Sequence, residues 1–136
     1  MAILTVGSAD STRARLSPAM AGVNLATAQA GNGDSTNTAD RGGLTGGGAV
    51  VITSAIGATP TVTVNIQGSV DGVAWFNVPY ALVATPRTFV LTALTITTAV
   101  TTTYILQELI PWRFIKTVAS ANTNVTLTSD LYQSGS

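Results

Sequence analysis

The ionisable side chains of this 136-residue chain are six acidic, six basic and three tyrosine residues, with no histidine and no cysteine. Losing both imidazole and thiol removes the Ser-His-Asp and Cys-His nucleophilic systems, and with them the usual ligands of zinc and other transition metals. Acid and base chemistry is left to Asp10, Asp34, Asp40, Asp71, Glu108 and Asp130. These are scattered, and no two stand at i, i+2 on an expected strand. A glycosidase needs two carboxylates flanking one bond, and only folding could bring Glu108 and Asp130 together. The chain is therefore not expected to be an enzyme, and no cofactor is expected.

Other constellations have plainer readings. Asp34, Asn37 and Asp40 in DSTNTAD offer oxygen ligands to calcium, but the spacing is not that of an EF-hand loop. Asx and Thr side chains in a loop more often bond their own backbone. The glycines of GGLTGGG (42–48) lack the Lys and Ser/Thr of a phosphate loop and read as a linker. Arg13, Arg15 and Arg41 put half of the six cations in the first third of the chain. As bidentate donors common at interfaces, they are candidate contacts to other subunits, with Leu16 and Met20 as apolar neighbours. Trp75 and Trp112 are candidate exposed aromatics, for stacking on sugar or anchoring a partner, or else core residues. Asn124-Val-Thr126 fits a glycosylation acceptor. MAILTVGSAD has no basic n-region and is not read as a signal peptide.

The elements that must position these residues are strands. AVVITSAI (49–56) is a β-branched run expected to be buried on both faces and to end at residues 57–60. TVTVNIQGS (61–69) alternates, with Val62, Val64 and Ile66 on one face. Asp71-Gly72 predicts a two-residue type I′ hairpin turn, which delivers the chain into VAWFNVPY with Trp75 and Phe76 on opposite faces. Further strands are expected at 87–94, 101–109, 112–119 and 124–132, with SANTN (120–124) as a hairpin turn. Six or seven such strands without helical periodicity predict an all-β fold, an antiparallel β-sandwich or barrel. Residues 1–48, poor in large apolar side chains, predict an extended N-terminal arm ahead of a β-sandwich domain at 49–136.

Only 9% of the residues are charged, against about a quarter in ordinary soluble domains, and the net charge is zero. No field steers the chain to nucleic acid or an anionic membrane, and no run is long enough to span a bilayer. So few charges give little protection against self-association, so much of the surface is expected to be covered by protein. SVDGVAWFNV, then WRFIKTV and NVTLTSDLY, resemble small jelly-roll-like modules, both discoidin-like carbohydrate-binding modules and the decoration (cement) proteins of tailed-bacteriophage heads. Over the whole chain the second likeness is closer, the chain being short, cysteine-free and rich in Thr and Ala. That resemblance implies a structural virion protein on the outer capsid surface, a homo-oligomer (dimer or trimer) whose partner is the major capsid protein. A carbohydrate-binding module and a phage tail or neck protein are the alternatives.

Overall fold

The computed structural model describes residues 21–42, 48–107 and 111–133. Every regular element in them is a strand: β1 (Ala21–Gln29), β2 (Gly33–Asp34), β3 (Ala39–Asp40), β4 (Gly48–Ser69), β5 (Phe76–Asn77), β6 (Tyr80–Leu82), β7 (Leu94–Ile96), β8 (Thr101–Leu106) and β9 (Phe114–Gln133). All pairings between them are antiparallel, as the alternation and the Thr and Val content of the sequence require. One sheet holds them in the order β1-β9-β4-β8-β6, with β2 and β3 also on β9, and β5 and β7 also on β4.

β4 and β9 are the spine, paired from Gly48↔Gln133 at one end to Ser69↔Phe114 at the other. A straight 20-residue strand would span about 66 Å, but this pair is doubled over. Thr117 and Ser129 lie twelve residues apart on β9, yet their hydroxyls are 3.4 Å from each other. Arg41, whose backbone N–H donates to the Arg113 carbonyl near the start of β9, donates from Nε to Gln133 Oε1 at its end, at 2.7 Å. The sheet thereby supplies two facing halves. Val50, Ile52, Leu127 and Leu131 from one half join Val62, Val64, Ile66 and Ile115 from the other in a single cluster, each 3% exposed or less.

The fold-over takes place at residues 57–60 of β4 and 120–124 of β9. The sequence suggests a strand end and a hairpin turn there, but both are corners within continuous strands. Pairing steps from Ile56↔Val125 to Thr61↔Thr123, so β4 carries the extra residues of a bulge. Thr59, Ala121 and Asn124 take positive φ of 50°, 51° and 53°. Asparagine side chains replace lost ladder bonds: Asn122 exchanges two hydrogen bonds with the Val125 backbone, and Asn124 Nδ2 donates to the Ala58 carbonyl at 2.6 Å. A corner and a hairpin need the same left-handed backbone, which is why the local signal is shared.

Three further expectations change. The run 49–56 alternates in burial, with Thr53, Ala55 and Ile56 exposed, because only one side of β4 faces the other half. Residues 87–94 hold only a bridge from Val90 to Tyr80 before β7 begins at Leu94. Residues 21–42 do not behave as a separate arm: β1 lies along β9, and Leu25, Ala39 and Arg41 are 0%, 1% and 4% exposed. Few large side chains are needed, since β1 only adds an edge to a core that β4 and β9 already provide. Arg13, Arg15, Leu16, Met20 and Glu108 lie outside the described residues.

Candidate functional site

Eight described residues carry charge. Six of them, Asp34, Asp40, Arg41, Asp71, Arg113 and Lys116, gather around the start of strand β9, leaving Arg87 and Asp130 elsewhere. The site is therefore built outward from β9. Antiparallel register puts Asp40 opposite Phe114 and Asp34 opposite Val118, on the outer side of the sheet. Arg113 forks onto Asp40 through Nε–Oδ1 at 2.9 Å and a second bond at 3.0 Å, and stacks over the Phe114 ring at 5.1 Å. Arg113, followed by the Gly42 N–H, holds the Asp40 carboxyl below the usual carboxylate range.

Lys116, 8% exposed, reaches Asp34 at 3.0 Å and lies 4.1 Å from the centre of the Trp75 ring. A nearly buried ammonium is tolerable because the carboxylate and the ring face both favour its charge. Trp75 is thus a cover for Lys116. Trp112, expected as an exposed aromatic, is half-buried: its ring stacks on Phe76 at 5.6 Å and lies against Gly68, where an added Cβ would meet Trp112 Cγ at 2.5 Å. Of the two neighbours in sequence, Trp75 turns to Lys116 and Phe76 to Trp112, as opposite faces of the strand require.

Between Gly68 and Phe76, which pair with each other, the chain makes a seven-residue loop rather than the expected type I′ turn. Only Gly72 has positive φ, at 81°, while a type I′ turn needs it at Asp71 too. The loop is organised by side chains. Asp71 Oδ1 accepts from the Val73 N–H (2.8 Å), the Ala74 N–H (3.0 Å) and the Ser69 hydroxyl (3.1 Å), and Ser69 Oγ accepts from the Gly72 N–H (2.8 Å). The Val73 and Ala74 amides and then Ser69 hold the Asp71 carboxyl below its usual range. Packed on Phe114 beside Gly72, this brace presents Val73 at 82%, Val70 at 59% and Phe76 at 55% exposure.

Sequence reasoning picked out Trp75, Trp112, Asp71, Gly72 and Arg41, and folding brings all five to this end of the sheet. Arg41 is not a surface contact: its guanidinium is buried, bonded to Gln133 and to the Trp112 carbonyl. It closes the two ends of β9 together. The candidate calcium ligands Asp34 and Asp40 face Lys116 and Arg113 instead, while Asn37 donates to the Asn24 carbonyl. Lys116, Arg113, Phe114 and Ser69 were missed as members of the site. Ser69 alone had a local signal, standing two residues before an Asp-Gly pair as in side-chain-capped turns. No protein-family model matches this chain, and no curated protein or solved structure gives a significant match.

Proposed function

We propose that this chain is a structural protein that works by docking on other protein subunits, in the manner of phage capsid decoration proteins, binding the outside of an assembled shell and reinforcing it. One observation carries the reading. Of the eleven large hydrophobic residues exposed among the described residues, seven fall within residues 70–91, a stretch whose only charges are Asp71 and Arg87. Apolar side chains concentrated in this way, with few charges between them, favour a protein-covered surface over a solvated one. Binding that exists only on the assembled shell stabilises that state by mass action. A sugar platform has less support, because Trp75 lies on Lys116 and Trp112 is held between Gly68 and Phe76.

The test is a heating series on particles with and without the protein. Depleted particles are expected to release their contents at lower temperature, and adding back purified protein restores tolerance. Equal survival of the two populations overturns the shell reading. Copy number per particle separates it from a tail or neck role, which needs only a few copies.

A further inference from the structure

We propose that residues 70–76 form a knob that inserts into a groove on a second copy of this chain. The groove lies between residues 86–89 and the end of β8, is lined by Pro86, Arg87, Phe89, Ile105, Leu106 and Gln107, and has a volume of ≈ 840 Å³. On the same measure one water needs only about 10–15 Å³, so the groove has room for more than solvent. Its lining is mixed: Arg87, Gln107 and backbone groups stand beside the apolar side chains of Pro86, Phe89 and Ile105.

The knob is opposite to it in charge and offers exposed apolar side chains to Pro86, Phe89 and Ile105. Val70 and Val73 project from a loop that Asp71 and Ser69 already hold by four hydrogen bonds, and Phe76 follows on β5, 55% exposed beside its stack on Trp112. Little conformational freedom is left to lose on docking. The knob carries one carboxylate, Asp71, and the groove one guanidinium, Arg87. Neither has an ion-pair partner among the described residues, and all three hydrogen bonds to Asp71 fall on Oδ1, which leaves Oδ2 to face a cation. Opposite charges across a contact set its register and exclude wrong partners. The zero net charge of the chain puts no long-range repulsion between copies.

This contact rests on the assembly reading above and names one occupant of that surface. The test uses the full-length chain and two exposed substitutions, Val73→Arg in the knob and Arg87→Glu in the groove, with circular dichroism to check folding. In sedimentation velocity the wild type is expected to associate. Each variant alone is expected to associate at least about tenfold more weakly, since each sets like charges against each other, Arg against Arg87 or Glu against Asp71. An equimolar mixture of the two regains association, because an intact knob then meets an intact groove. A monomeric wild type, unchanged association in either variant, or no recovery on mixing overturns the contact. Binding of the same proteins to depleted particles is read separately, so a monomer that still attaches to shells refutes the knob and groove and leaves the shell function standing.

Discussion

Gly68 gives the sharpest test of how the exposed loop is tied to the core. It sits on the inner side of β4, paired with Ile115 and Phe76, and a methyl group there would lie 2.5 Å from Trp112 Cγ, 2.8 Å from its Cβ and 2.9 Å from Cδ1. These atoms are the root of the indole side chain, so swinging the ring cannot relieve the contact, and the Trp112 backbone is held through its carbonyl by Arg41. Gly68→Ala must therefore shift residue 112 itself. Overpacking of this kind costs about 1–3 kcal/mol, and loss of the Phe76–Trp112 stack adds about 0.5–1.5 kcal/mol. Stiffening the unfolded chain returns about 0.4–1 kcal/mol. The net expectation is a loss of about 0.5–4 kcal/mol, centred near 2, or roughly 2–16 °C in Tm for a domain of this size. Urea titration followed by tryptophan emission measures both the stability and the ring environment. Gly31→Ala, with nothing within 4 Å of the added Cβ, serves as control and should stay within about 0.5 kcal/mol of wild type. A Gly68→Ala protein as stable as wild type, with unchanged emission, would refute the packing argument.

Two further outcomes follow from the same end of the fold. Arg41→Met keeps the side-chain stem but leaves the Gln133 amide oxygen and the Trp112 carbonyl without this donor, and is expected to cost about 2–4 kcal/mol in urea; a loss below about 0.5 kcal/mol would show that the ends of β9 hold without it. Asp71, held below the usual carboxylate range chiefly by the Val73 N–H and then by the Ala74 N–H and Ser69, stabilises the fold above its unfolded pKa, and that contribution disappears as pH falls through its lower folded value. Urea midpoints measured downward from about pH 5 should therefore decline less steeply in Asp71→Asn, which keeps the Oδ1 acceptor, than in wild type, Asp40 accounting for slope that remains; identical profiles would refute the role of the charge.

The all-β class was legible because strand alternation is local: Val62, Val64 and Ile66 stand on one face in the sequence and are buried together in the core. The corners were half-legible. Residues 57–60 and 120–124 announce a change of backbone direction through Gly, Pro and Asn, but whether the chain turns back on itself or bends with its partner depends on the partner, which no local residue names. The place of residues 21–42 was hidden for a related reason. Their low apolar content describes what the segment could do alone, whereas β1 is stabilised by backbone pairing to β9 and by the burial of one leucine. The candidate site shows the same division: Asp71 and Gly72 were found through turn chemistry, while Lys116 and Asp34, 82 positions apart, become partners only through register.

Composition and periodicity alone determined that the chemistry of imidazole and thiol is absent, that the surface is nearly uncharged, and that the chain builds antiparallel sheet, since each of these is a sum or a pattern over neighbouring residues. The tertiary structure decided where the few charges meet, which of Trp75 and Phe76 covers an ammonium and which stacks on Trp112, and that Arg41 joins two ends of one strand. Those outcomes depend on β4 and β9 folding over together, a cooperative event set by the whole pair and written at no single position.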